Sequence, residues 1–356
     1  MNKKTSSPTM KDVAREAGVS LGTVSNVFNG AQVSESYRIK VEEAARKLGY
    51  KVNRYARGLK TNQTRTIAFI CPGTDHPFFG DLANYISKSL QERGYRMMLA
   101  VTQYSPDMEQ KCIQMVSENK VDGIIALTYN PDLVIDESLP FVSIDRFYSE
   151  SVPCISCDNY AGGTLAARKL CELGAGRLLF INVAPEVSGE PDKRQAGFES
   201  WCRVHNVPFE SIVSSDEQAF LPLLKLIRDR IHDGKPDFDG VFCNTDKIAY
   251  VVCQILKENG ITVPGDVQVI GFDGTNMFGD RMMPCVSSIV QPVEQIASQA
   301  VTMLLSTDRT HLPTLTCLPV RYRPGGTTRE EYTREYIYGR QEERQDKKGG
   351  KNAEEE

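Results

Sequence analysis

The feature that most constrains this chain is the run from Lys11 to Val27, where two short amphipathic segments flank Gly18-Val19-Ser20. Val13, Ala14 and Ala17 share one helical face, Thr9 stands three residues before Asp12 as an N-cap with an acidic first turn, and Gly18 ends the segment. Ser20 can cap a second helix, which leaves a turn so short that the two helices must cross at a tight angle. In the second helix Val24 and Val27 fall inward, while Leu21, Gly22, Thr23, Ser25 and Asn26 fall outward. Beyond Asn29-Gly30, Ser34 or Ser36 can cap a third helix with Val41, Ala44, Ala45 and Leu48 on its inner face. The spacing predicts an all-α helix-turn-helix head over residues 1–52.

Charge supports the same division. Residues 1–65 carry 13 Lys+Arg against 5 Asp+Glu, a balance of +8, whereas the rest carries 29 against 41, −12, giving the net −4 of the whole chain. A cationic end on an anionic body is expected where only that end meets nucleic-acid phosphates. The bland alternative, for helices and charge alone, is a solvated bundle with ordinary surface lysines.

Thr9 to Leu59 closely resembles the head and hinge of the LacI/GalR family of bacterial transcription regulators. The matching residues are Val19-Ser20, Thr23-Val24-Ser25, Asn29-Gly30, Val33-Ser34, Lys47-Leu48-Gly49-Tyr50 and Asn53-Arg54-Tyr55-Ala56-Arg57-Gly58-Leu59. The resemblance implies a second helix lying in the major groove of a palindromic operator. It also implies a hinge helix within residues 53–65 that enters the minor groove, with Leu59 as a wedge beside that of a second subunit in a homodimer. The implied DNA contacts are Thr9, Ser20, Leu21, Gly22, Thr23, Ser25, Asn26, Asn29, Ser34, Asn53, Arg54, Ala56 and Leu59. Of these, the short hydroxyls of Ser20, Thr23, Ser25 and Ser34 suit phosphate contacts or caps, which position a head without reading sequence. Asn26 stands where many relatives have Arg. Arg favours guanine and Asn can bond adenine in bidentate fashion, so an altered half-site is expected. Asn53 to Lys60 is too short for a stable isolated helix and is expected to order only on DNA.

From Thr66 onward, apolar β-like runs alternate with helical ones. The clearest strands are 67–71, 97–101, 123–127, 141–144, 178–182, 240–243 and 267–272, with helices at 80–93, 106–118, 161–173, 192–205 and 246–259. This alternation implies doubly wound parallel sheets, and the roughly 260 residues of 66–327 suffice for two lobes. The family resemblance continues here and implies a periplasmic-binding-protein-like core with an effector in the cleft. Its first lobe would span residues 66–158 and 292–318, its second 159–291, closing with a strand near 319–323.

Ligands of open α/β sheets sit beyond the carboxyl ends of the strands, which nominates Phe78, Phe79, Tyr129, Asp145 and Arg146. By the resemblance, Phe78 and Phe79 supply aromatic contacts, while Arg194 and Asp273 match an effector-binding arginine and acid. Thr245 takes the slot of a frequent Asn contact, and Asp246 is expected to cap the following helix. An arginine and carboxylates beside aromatic rings suit a sugar, whose hydroxyls need both donors and acceptors. A purine, or a phosphocarrier protein as corepressor, is the alternative. Structural roles compete at each position, since Arg194 and Asp273 could form an ion pair and Phe78 could be core.

No apolar run approaches the roughly twenty residues of a membrane helix, and Met1-Asn2-Lys3-Lys4 leads into polar residues, so a cytoplasmic protein is expected. The ten cysteines are scattered and read as buried thiols, and Cys154-Ile155-Ser156-Cys157 lacks the second pair a metal site needs. The histidines at 76, 205, 232 and 311 form no metal or triad spacing, so no metal, cofactor or catalytic set is expected. A solute-binding protein for transport fits poorly with the cationic head, and an enzyme with the missing nucleophile. Residues 328–356 are rich in charge without leucine heptads, and read as a disordered tail on a dimer.

Overall fold

The computed structural model describes residues 8–28, 31–50, 64–128, 130, 132–136, 138–183, 189–214, 220–275 and 286–330. The chain divides into two units, 1–64 and 65–356.

The head contains α1 (Met10–Ala17), α2 (Leu21–Phe28) and α3 (Glu35–Leu48). Thr9 and Asp12 form a reciprocal capping box on α1, and hydrogen bonding from Thr9 holds the Asp12 carboxyl below its ordinary range. Gly18 and Gly49 end α1 and α3 at φ +64, a conformation that glycine adopts without penalty. Val13, Val24 and Val41 are fully buried, with Ala44 and Ala45 beside them. One cap differs from expectation. Ser34 occupies the N-cap of α3, yet its hydroxyl pairs with Ser36 Oγ at 3.2 Å instead of a helix amide.

The body opens with β1 (Thr66–Cys71), α4 (Pro77–Glu92), β2 (Arg96–Val101), α5 (Pro106–Glu118), β3 (Gly123–Ala126), β4 (Phe141–Ile144) and β5 (Cys154–Cys157). It continues through α6 (Asn159–Glu172), β6 (Leu178–Val183), α7 (Lys193–Val204), β7 (Phe209–Ser214), α8 (Phe220–Arg228) and a small hairpin of β8 (Ile231–His232) and β9 (Lys235–Pro236). Then follow β10 (Gly240–Cys243), α9 (Asp246–Glu258), β11 (Gln268–Asp273), β12 (Ser287–Val290), α10 (Val293–Leu304), β13 (Leu315–Leu318) and β14 (Arg321–Arg323). Two six-stranded sheets result, one in the order β13-β5-β4-β3-β1-β2 and one in the order β14-β12-β11-β10-β6-β7. Within these two sheets all pairings are parallel except β12 with β14. The chain therefore passes between the sheets three times: after β5, after β12 and after β13.

In each sheet the strand order reverses beside the first strand laid down, between β1 and β3 in one lobe and between β6 and β10 in the other. Such reversals leave a crevice at the strands' carboxyl ends. α4 starts at Pro77, three residues ahead of the sequence expectation, because proline suits the first helical position. Phe78 and Phe79 thus lie in its first turn, where they are 4% and 6% exposed within the apolar core, and not on a strand-end loop. In the second lobe α6 and α7 cross at Gly163 and Gly197. A Cβ at 163 would stand 2.8 Å from the carbonyl carbon of Arg194, and one at 197 would stand 2.9 Å from that of Tyr160.

Candidate functional site

The crevice is built from residues that follow the strands of both sheets. Arg194, 4% exposed in the first turn of α7, lies with its guanidinium 3.6 Å from the centroid of the Phe272 ring. Its Nε donates to Asn159 Oδ1 and its Nη1 to the Asn244 carbonyl, each at 2.7 Å, and Nη1 stands 3.7 Å from Asp273 Oδ1. The stacked ring and these two acceptors fix the fork in one orientation.

Asp273 ends β11 at φ +108, a region an L-residue adopts only under constraint from its surroundings. Gln291 Nε2 donates to its Oδ1 at 2.8 Å, and the His76 ring nitrogen Nε2 approaches its Oδ2 at 3.7 Å from the other lobe. Burial pushes the Asp273 carboxyl up, against the pull of Arg194 and His76. Asp145, at φ +59 after β4, is also buried. It accepts from Ser156 Oγ at 2.6 Å, and burial raises its pKa against that hydrogen bond and Arg194. Its carbonyl accepts from Glu190 N at 3.1 Å, a second link between the lobes, and an exposed pair of Lys247 and Asp75 at 3.8 Å makes a third.

At the second lobe's strand reversal, Asn244 Nδ2 donates to Asn182 Oδ1 at 2.7 Å. Thr245, and not Asp246, caps α9: its hydroxyl accepts from Ile248 N at 3.3 Å, which engages the group proposed for a ligand. Asp246 is instead buried, accepting from Thr275 N at 2.7 Å and Ser288 Oγ at 2.6 Å. Burial, reinforced by Asp273, pushes its carboxyl up to about 8. Arg146 is half-buried, Tyr129 lies outside the described residues, and the rings of Phe79 and His76 sit 5.4 Å apart.

Several buried polar atoms here have no hydrogen-bond partner among the described residues. They include both His76 ring nitrogens, Thr128 Oγ1, Arg146 Nη1, Asn244 Oδ1, Asp273 Oδ2 and Gln291 Oε1. Asp273 ends a strand, and each of the others follows a strand of one of the two sheets. A buried polar atom left unpaired costs on the order of 1–3 kcal/mol, so this concentration marks a candidate site for a polar ligand. His76, Asn159, Asn182, Asn244 and Gln291 were not singled out from sequence. A polar residue just past an apolar run was the available signal.

In the head, Ser20 Oγ accepts from Thr23 N at 3.0 Å and pairs with Thr23 Oγ1 at 2.9 Å, which caps α2 as expected. Leu21 is 43% exposed, Gly22 and Asn26 are exposed, and Thr23 and Ser25 are half-buried over Val24. Thr9 and Ser34 are exposed at their caps. Asn29, Asn53, Arg54, Ala56 and Leu59 lie outside the described residues.

Residues 9–53 match the family model of bacterial regulatory proteins of the lacI family, and residues 64–321 match that of periplasmic binding proteins and the sugar binding domain of the LacI family. The sucrose operon repressor of Pediococcus pentosaceus is 34% identical over 310 residues, covering 84% of this chain and 91% of that protein. A periplasmic binding protein/LacI transcriptional regulator from Alkaliphilus metalliredigens, solved with D-xylulofuranose, is 26% identical at a TM-score of 0.67, covering 75% of this chain and all of that one. A LacI-family regulator from Silicibacter pomeroyi, 23% identical, shares the fold at a TM-score of 0.73 over 90% of this chain and 99% of its own. Among the described residues no helix is long and apolar enough to cross a membrane. With both models matched in order along nearly the whole body and head, the chain belongs to the LacI family of bacterial regulatory proteins: it is a DNA-binding transcriptional regulator on a periplasmic-binding-protein-like core, not an enzyme.

Proposed function

We propose that the protein is a cytoplasmic, homodimeric repressor whose grip on a palindromic operator is set by a sugar bound between its lobes. The observation that carries this reading is the meeting of unpaired polar atoms from both sheets around Arg194 and Asp273, beside aromatic rings. The proposed effector contacts are Asp145, Arg146, Arg194 and Asp273, with Phe78 and Phe79 as the apolar wall; Thr245 serves its helix. The edge strand β2 exposes Leu99 and Val101, and α5 exposes Met108 and Met115, which offers apolar surface for a second copy. Ser20, Leu21, Gly22, Thr23, Ser25 and Asn26 form the proposed reading face. Lobe closure would change the separation of the two hinges, and with it the folding of the segment ending at Leu59.

The test is thermal unfolding of the full chain with sucrose, ribose, cellobiose and hypoxanthine, followed by operator binding with each ligand that responds. A cleft ligand at 100 times its Kd adds about 2.7 kcal/mol of stability. Silence to every sugar together with a response to the purine would overturn the effector class.

A further inference from the structure

His76 belongs to the first lobe and Asp273 to the second, and each reaches the crevice with its orientation already set. His76 is the N-cap of α4, makes no capping bond with its side chain, and rests its ring 5.4 Å from that of the buried Phe79. Asp273 Oδ1 is engaged by Gln291 Nε2 at 2.8 Å and faces Arg194 Nη1 at 3.7 Å, which leaves Oδ2 for the His76 ring. Oδ2 and both ring nitrogens are buried without a hydrogen-bond partner among the described residues, although Nε2 and Oδ2 stand only 3.7 Å apart. That gap is about 0.5–1 Å longer than a hydrogen bond. Two further links join the lobes, Glu190 N to the Asp145 carbonyl and Lys247 to Asp75. Of the three, the His76–Asp273 link alone contains a histidine, the side chain whose charge ordinarily changes near neutral pH.

We propose that His76 and Asp273 form a proton-operated latch across the crevice: uptake of one proton by the pair draws the two lobes closed, and its loss lets them part. The latch rests on the two-lobed reading of the crevice and not on which effector fills it.

One proton shared by the pair gives a bond wherever it sits. On the ring, Nε2–H donates to a carboxylate; on the acid, the Oδ2 hydroxyl donates to the ring nitrogen. With the two side chains 12% and 3% exposed, water screens this contact weakly. Loss of the proton leaves a buried carboxylate against an uncharged ring. The other charged groups around the pair are Arg194 on α7, the carboxyls of Asp145 after β4 and Asp246 on α9, and Asp75 beside His76 with its partner Lys247. Glu190 lies beyond Asp145, and Arg323 beyond Asp246. Burial pushes the Asp273, Asp145 and Asp246 carboxyls up, so the surroundings favour holding a proton. The closed arrangement binds that proton more tightly than the open one. Closure is therefore strongest on the acid side of neutrality and is lost as pH rises through the titration of the pair.

The first arm of the test is an NMR titration of the effector-free, full-length protein carrying 13C-labelled histidine, with the His76 signal identified as the one missing from His76→Asn. Its midpoint in the wild type should lie about 1–3 pH units above that in Asp273→Asn, the shift an opposite charge at this distance produces. Equal midpoints overturn the latch. The second arm is X-ray solution scattering of effector-free wild type and His76→Asn between about pH 6 and pH 9, the range spanning the histidine titration. The wild-type radius of gyration should increase with pH as the lobes part, and that of His76→Asn should stay constant. A wild-type radius that does not change, or the same rise in the variant, overturns the proposal. If Asp273→Asn does not fold, the scattering arm decides. Because no effector is added in either arm, failure of the latch leaves the effector class standing, and failure of the effector class leaves the latch.

Discussion

Gly163→Ala tests how Arg194, a proposed effector contact, is positioned. The added Cβ would stand 2.8 Å from the Arg194 carbonyl carbon and 2.9 Å from Phe198 N, whereas carbon pairs rest at about 3.5–4.0 Å. The obstruction is backbone, which cannot rotate aside, so α6 and α7 must part by on the order of 1 Å. Overpacking of this kind costs about 1–3 kcal/mol, offset by the roughly 0.5–1 kcal/mol that alanine gains over glycine inside a helix. A net loss of about 1–2 kcal/mol in urea denaturation is expected. The effect on effector binding should be larger. Arg194 rides on α7 and Asn159 on α6, and their 2.7 Å hydrogen bond would open beyond reach if the helices parted that far. Losing one hydrogen bond from a buried charge is worth about 1.5–3 kcal/mol, or roughly 10- to 100-fold in Kd. Gly80→Ala is the control, since a Cβ there meets nothing within 4 Å, and it should be neutral or slightly stabilising. A Gly163→Ala protein with wild-type stability and effector affinity would refute the reasoning.

Asp246 makes a prediction about pH. Its folded-state carboxyl is raised from 3.8 to about 8, so the folded protein keeps a proton that the unfolded chain releases. The stability this contributes is fully present below the unfolded value and is lost as pH rises through about 8. Asp246→Asn mimics the neutral acid, keeping an oxygen for Thr275 N, and should flatten the stability profile over that window; urea midpoints with the same pH slope as wild type would sink the assignment. In the head, Asn26→Arg should enrich guanine at one position of each half-site in an operator selection, with discrimination of about 1–3 kcal/mol, and identical base preferences would remove Asn26 from the reading face.

The head was legible because its signals are local: Thr9, Gly18 and Gly49 act within a turn of themselves, and Val13, Val24 and Val41 follow a helical period. The buried parallel strands were legible for a similar reason, as unbroken apolar runs such as Thr66–Cys71 and Gly240–Cys243. Phe209–Ser214 was not, because an edge strand half-covered by its neighbours carries no such run. Ser287–Val290 was too short and too polar at its start to stand out. In the crevice, Arg194, Asp145 and Asp273 were nominated and do converge. His76, Asn182 and Gln291 escaped because each acquires its meaning from a partner dozens of residues away. Thr245 takes the capping role expected of Asp246, a one-residue shift of helix start that sequence periodicity does not resolve.

The three passages of the chain between its sheets have a consequence for how the protein is made. The first lobe's sheet lacks its edge strand until residues 315–318 exist, and the second lacks its own until 321–323. A chain synthesised from its N-terminus thus carries a head with its own core, complete by Tyr50, long before either lobe can finish. The two lobes then close within a few residues of each other. A nascent or truncated chain ending before Leu315 would hold a helical head with its own core attached to a body in which both sheets lack an edge strand. Stops before that point would leave the head's core intact and both lobes unfinished.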